Sequence, residues 1–124
     1  LEACVLAVDD DALLLRLVEL NLSKMGIKVI RAGSGKEALQ KAEEEKPDLI
    51  ILDIMMPQMD GYEVLRRLKE NKVTREIPVL MLTAKSSHQD RERSAEMGAA
   101  DYIAKPFRLE QLRAKVKELL SDIA

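Results

Sequence analysis

Five side chains, far apart in the sequence, could do chemistry together: Asp9, Asp10, Asp53, Thr83 and Lys105. Each lies at the end of a short apolar run. Cys-Val-Leu-Ala-Val precedes Asp9, Leu-Ile-Ile-Leu precedes Asp53, Val-Leu-Met-Leu precedes Thr83, and Tyr-Ile-Ala precedes Lys105. Runs that short, bounded by turn residues, read as strands buried on both faces of a parallel sheet. In such a sheet all carboxyl ends share one rim, and ligands bind there. Three carboxylates on one rim repel one another until a proton or a cation intervenes. The set is all oxygen, with no cysteine or histidine beside it, which suits a hard cation and Mg²⁺ above all. One lysine cannot neutralise three carboxylates, but it can pair with an anion held opposite the metal. A hydroxyl beside a lysine and a metal is equipment for the equatorial oxygens of a phosphoryl group. A carboxylate can also be the nucleophile, giving an aspartyl phosphate, and Asp53, on the central strand, is the best placed.

The elements that must position these groups alternate. Residues 4–8 read as the first strand, ending in Asp9, Asp10 and Asp11. Leu13, Leu17 and Leu20, with Leu14, Val18 and Met25, mark a first helix with a wide inward face, closed by Gly26. Residues 27–31 read as a second strand. Ser34 and Glu37 have capping-box spacing for a helix that turns Ala38, Leu39 and Ala42 inward. Glu43–Glu45 oppose the macrodipole at its end, which predicts fraying before Pro47. The third strand runs into Asp53. A helix over about 62–70 follows, burying Val64, Leu65 and Leu68. The fourth strand, Val79 to Leu82, ends at Thr83. Ser87 and Asp90 suggest a cap for a helix over about 88–97, which is thinly apolar, with Ala95 and Met97 its inward candidates. Asp101 to Ala104 form the fifth strand. The last helix carries Leu109, Leu112, Val116, Leu119 and Leu120 on one stripe. Five strand–helix alternations with short connections predict an α/β domain: a parallel sheet, right-handed crossovers, helices on both faces.

Composition sets the bounds. The 124 residues, 47% hydrophobic and 34% charged, suit one globular domain over 1–124. Twenty basic residues nearly cancel 22 acidic ones. No basic block or aromatic platform points to nucleic acid. No apolar run is long enough to span a membrane and no signal-peptide pattern is present, so a cytoplasmic location is expected. The single cysteine, Cys4, excludes an internal disulfide and reads as a buried, inert thiol. An opening Leu1-Glu2 without methionine suggests an excised domain or a tag remnant.

The motifs taken together resemble the receiver domain of response regulators in two-component signalling. They are Val8-Asp9-Asp10, Asp53 with Met56-Pro57 and Asp60-Gly61, Thr83-Ala84, and Lys105-Pro106-Phe107. The resemblance covers nearly the whole chain. It implies a flavodoxin-like, doubly wound sheet with strand order 2-1-3-4-5. It implies that Asp53 takes a phosphoryl group from a phosphohistidine of a histidine kinase or phosphotransfer protein. Asp9, Asp10, Asp53 and the backbone carbonyl of Met55 would hold Mg²⁺. Thr83 and Lys105 would bond the phosphoryl oxygens. Thr83 and Tyr102 would be switch residues, and Lys105-Pro106 would match the family's cis peptide, which an X–Pro bond tolerates. The face of the fourth helix, fifth strand and fifth helix would signal to an output domain or partner, and the last two helices could support a homodimer. The domain would catalyse only its own phosphorylation and slow dephosphorylation. Met55 and Lys85 would flank the path of an attacking water. A thioether orients water poorly, which predicts a long-lived phosphoryl group.

Each residue alone has a plainer reading. Asp53 could be a solvated strand end, Thr83 a turn residue, Lys105 a surface lysine, Tyr102 half-buried packing. Asp11 is read as a helix N-cap and left out of the metal site. Met55, Met56 and Met59 read as packing. His88, the sole histidine, reads as a solvated first-turn residue. An aspartyl-phosphate hydrolase is a further alternative. It would want an acid two positions after the nucleophile, where this chain has Met55. A receiver-like module that never takes phosphate is another, although such modules usually lack part of the acidic set.

Overall fold

A computed structural model describes residues 2–84 and 88–123, the last by its backbone alone. Ten elements alternate: β1 Cys4–Val8, α1 Ala12–Ser23, β2 Lys28–Ala32, α2 Gly35–Glu45, β3 Leu49–Asp53, α3 Gly61–Glu70, β4 Val79–Ala84, α4 His88–Glu96, β5 Asp101–Lys105 and α5 Leu109–Ile123. The five strands are parallel, in the order β2-β1-β3-β4-β5. This is the doubly wound, flavodoxin-like order.

Side-chain alternation along the strands splits the core in two. Leu6, Val8, Ile50, Leu52, Val79 and Met81 meet Ala38 and Ala42 of α2 and Val64, Leu65 and Leu68 of α3. Val5, Ala7, Ile51, Leu80, Leu82 and Ile103 meet Leu15, Val18 and Leu22 of α1 and Leu112, Val116 and Leu119 of α5. All five residues of β3 are buried, which makes it the axis of the sheet.

Local chemistry sets the helix ends. The Asp11 carboxylate caps α1, accepting from the N–H groups of Leu13 and Leu14 at 3.1 and 3.2 Å. Ser34 Oγ accepts from the Glu37 N–H at 3.2 Å, and Glu37 reaches back to the Gly33 N–H at 2.6 Å. The capping box thus closes one residue earlier than its usual partner. The fraying expected at Glu43–Glu45 is not what the structure has. All three lie inside α2, and Lys46 closes it with φ 47° and its N–H on the Ala42 carbonyl at 3.0 Å. That hydrogen bond outweighs an unfavourable but solvent-screened dipole term.

Two helices turn differently from the prediction. On α1 Val18 is buried and Leu14 packs partly against the core, as expected, but Leu15 and Leu22 complete the buried face; Leu13, Leu17 and Leu20, with Met25 just beyond the helix, are exposed, Leu13 by 68%. The helix is apolar almost all round, so several faces fit the spacing and contact with β1, β2 and α5 decides. On α4 Ser94 is buried and Ala95 is exposed; Met97 packs partly against the core, as expected. Small boundary differences follow the ladder. β4 continues to Ala84 and β5 to Lys105 because Thr83 pairs with Ala104 and Ala84 with Lys105. The cap expected at Ser87 lies outside the described residues, as does Lys85.

Candidate functional site

The register delivers the rim groups side by side. Val8 pairs with Leu52, so one step on, Asp9 stands next to Asp53. Asp53 pairs with Leu82, which places Thr83 one residue beyond it on the next strand. Lys105 closes β5 and is joined to Pro106 by a cis peptide bond. Asp9, Asp10 and Asp53 bring carboxylate oxygens within 4.8 Å of one another. Asp9 and Asp53 are each only 2% exposed, whereas Asp10 is exposed.

Lys105 holds the two buried carboxylates. Its Nζ donates to Asp9 Oδ2 at 2.8 Å and lies 3.2 Å from Asp53 Oδ1. The Met55 N–H lies 3.4 Å from Asp53 Oδ1, and the Asp11 N–H donates to Asp9 Oδ1 at 3.0 Å. Burial, then the neighbouring Asp9 charge, push the Asp53 carboxyl above the usual range, against the opposing pull of Lys105. Burial would lower the Lys105 ammonium, but its bonds to Asp9 and Asp53 prevail and raise it. The site therefore carries more negative charge than its lysine offsets. Three oxygen donors of that kind, with no sulfur or imidazole among them, fit a hard divalent cation.

Thr83 is 1% exposed, and its hydroxyl has no hydrogen-bond partner among the described residues. A buried hydroxyl without a partner is costly, and at a rim it marks a place for an acceptor. Met55 turns outward, 72% exposed, at the mouth of the site. Tyr102 also faces out, 37% exposed, with the Arg91 guanidinium 5.3 Å from its ring centroid and 3.4 Å from its hydroxyl. Asp11 stays with α1 as its cap. His88 is exposed beside Arg91. Cys4 is half-buried rather than buried, and burial raises its thiol pKa, which keeps it in the less reactive form.

Two neighbours of the site carry roles that the sequence did not assign them: Gly61, read only as part of a motif, and Tyr62. A Cβ on Gly61 would run into the Asp53 carbonyl oxygen and come 2.7 Å from Ile54 Cα, so α3 starts hard against the end of β3. Tyr62, the next residue, is buried and hydrogen-bonds to Asp90 of α4. Its rarity was the available signal, since the chain has only three aromatic residues.

Fold and rim together define a class: a doubly wound α/β domain with an acidic pocket, closed by one lysine, at the point where strand order reverses. The model of the response regulator receiver domain matches residues 5–117, and the chain belongs to that family. It is 47% identical over 122 residues to the alkaline phosphatase synthesis transcriptional regulatory protein PhoP of Bacillus subtilis (strain 168), covering 97% of this chain and 50% of that protein. It is 42% identical over 116 residues to the DNA-binding dual master transcriptional regulator RpaA of Synechocystis sp. (strain ATCC 27184 / PCC 6803 / Kazusa), covering 94% and 48%. The chain spans about half the length of these transcriptional regulators. Among solved structures, a putative response regulator from Chloroflexus aurantiacus J-10-fl superposes with TM-score 0.91 at 39% identity, covering 98% of this chain and 99% of that one. The chemotaxis response regulator CheY4 of Vibrio cholerae gives TM-score 0.90 at 34% identity, covering 96% and 99%. The chain is therefore a receiver domain of two-component systems whose relatives are transcriptional response regulators. No helix among the described residues is long and apolar enough to cross a membrane.

Proposed function

We propose that this receiver is a phosphoacceptor switch and that Asp53 is its nucleophile. The observation that carries the reading is Lys105 bridging the buried carboxylates of Asp9 and Asp53, with Thr83, one residue past the register partner of Asp53, keeping a buried hydroxyl that has no partner among the described residues. An Asp53 carboxylate oxygen attacks the phosphorus of a phosphohistidine. The O–P bond forms, the P–N bond breaks, and the imidazole leaves. Lys105 and Thr83 take equatorial oxygens of the transferred group. Asp9, Asp10 and Asp53, with the Met55 carbonyl, would hold Mg²⁺, which supplies charge neutralisation to the phosphoryl oxygens when bound. The donor is a histidine kinase or histidine phosphotransfer protein. The domain acts only on itself, in the cytoplasm, and is not a turnover enzyme.

Phosphorylation adds charge and acceptor oxygens at the rim. Thr83 turns toward them, Tyr102 follows inward, and the α4-β5-α5 face changes for an output domain, a partner or a second copy of the chain. This is a shift between two populated arrangements. Met55 offers no group that orients an attacking water, so the phosphoryl group is long-lived. Phosphoramidate, a small P–N donor, tests the chemistry. Hydroxylamine should attack the acyl carbon of the product, releasing inorganic phosphate and leaving a hydroxamate at Asp53, as with any acyl phosphate, and Asp53→Asn should give no product. A hydroxylamine-resistant product would overturn the assignment.

A further inference from the structure

α4 is held in an unusual way. Its nine residues bury only one side chain, Ser94. That residue is 1% exposed and its hydroxyl lies beside the Tyr62 phenol. Apolar packing barely seats this helix. What ties it to the neighbouring α3 is Tyr62. The Tyr62 hydroxyl donates to the Asp90 carboxylate. The Arg93 guanidinium, from the same helix, lies 3.9 Å from the Tyr62 ring centroid. Burial and Asp90 push the Tyr62 phenol up to about 12, so it remains a donor through the neutral range. Asp90, Arg93 and Tyr62 line a recess of about 500 Å³ with Ile54, Met55, Met56 and Asp60, the residues that follow Asp53.

The other end of this tie is equally specific. Tyr62 follows Gly61, whose N–H donates to the Ile54 carbonyl at 2.8 Å and whose Cα rests against the Asp53 backbone. The first turn of α3 therefore moves with the end of β3. We propose that Tyr62 is a positioning residue, a latch that couples the backbone beside Asp53 to α4 and holds α4 in the arrangement of the unmodified domain. It is a route separate from the one through Thr83 and Tyr102. A phosphoryl group on Asp53 adds negative charge next to a recess that already holds the Asp90 carboxylate and the Arg93 guanidinium. Repulsion of Asp90 and attraction of Arg93 both loosen the latch. This last step rests on the phosphoacceptor reading; the latch itself does not.

The test is residue-resolved hydrogen exchange on the unphosphorylated chain, comparing wild type, Tyr62→Phe, Asp90→Ala and the double variant. Phenylalanine fills the same space and removes only the hydroxyl. A hydrogen bond to a charged acceptor sets the scale, so α4 amides should exchange about tenfold faster in Tyr62→Phe. Amides of α3 and α5 should not change. Asp90→Ala should exchange at least as fast, and adding Tyr62→Phe to Asp90→Ala should change nothing further. Unchanged α4 exchange, or additive effects, would overturn the latch. Acetyl phosphate then tests the coupling: Tyr62→Phe should be modified severalfold faster than wild type, because the restrained arrangement loses its preference. Faster α4 exchange with an unchanged modification rate would overturn the coupling. Failure of wild type itself to be modified would count against the phosphoacceptor reading and leave the exchange result to decide the latch.

Discussion

Lys105 Nζ sits closer to Asp9 than to Asp53, 2.8 Å against 3.2 Å, although Asp53 is the group proposed to react. The lysine is thus anchored on β1's carboxylate and leans on β3's. It offsets a repulsion that both buried carboxylates create.

Lys105→Met should therefore cost stability as well as reactivity. It keeps the aliphatic stem and leaves two buried carboxylates without a cation. Removing one partner of a fully buried pair costs about 3–5 kcal/mol. The Lys105 side chain is 31% exposed, so solvent reduces this to about 1–3 kcal/mol. Urea midpoints at pH 7 without divalent cation measure it, and added Mg²⁺ should restore part of the loss. A variant as stable as wild type would contradict the role given to the lysine.

Asp53 should weaken the fold when ionised. Burial and Asp9 raise its pKa in the folded state. The cost is absent below the unfolded value of about 3.9 and grows as pH rises through the folded one. Asp53→Asn should therefore stabilise the metal-free domain at pH 7. The gain should vanish toward pH 4. Equal gains at both pH values would show that something other than charge is at work.

The backbone makes a separate prediction. Gln58 and Lys46 adopt positive φ, 69° and 47°. A side chain there costs roughly 1 kcal/mol relative to glycine. Gln58→Gly and Lys46→Gly should each raise the urea midpoint by the equivalent of about 0.5–1 kcal/mol, part of the relief being lost to unfolded-chain entropy. Gly61→Ala should do the opposite, by about 1–3 kcal/mol, because its Cβ would meet the Asp53–Ile54 backbone, which cannot give way as a side chain would.

In the wild-type domain α4 should lose hydrogen-exchange protection before α3 and α5. It buries one side chain, while α3 buries Tyr62, Val64, Leu65 and Leu68 as well as Gly61. Protection of α4 equal to that of α3 and α5 would sink this expectation.

What was legible in the sequence follows from periodicity and its limits. The continuous apolar run of β3 and the stripe of α5 leave one solution, and the structure has it for all of β3 and for Leu112, Val116, Leu119 and Leu120, while Leu109 stays half-buried outside the core cluster. In α1, leucines crowd every face, so spacing does not choose between Leu13-Leu17-Leu20 and Leu15-Val18-Leu22. The choice belongs to partners distant in sequence. In α4 the inward face is marked by Asp90 and Ser94 rather than by Ala95, because a polar tie to Tyr62 replaces apolar packing. A hydrophobic pattern carries no record of that. The rim residues Asp9, Asp53, Thr83 and Lys105 were readable because strand ends in a parallel sheet converge whatever the helices do. Gly61 was readable only as part of a motif and Tyr62 only as a helix start, since their roles lie in a close backbone approach and a contact across 28 positions.

The central claim is that Asp53 accepts a phosphoryl group with the help of a hard cation. Intact mass after incubation with acetyl phosphate, with and without Mg²⁺, tests it most directly, with Asp53→Asn alongside. The account predicts one added phosphoryl group, dependent on Mg²⁺ and absent from the variant. No added mass while Mg²⁺ still binds would contradict it and leave a receiver that works without phosphate.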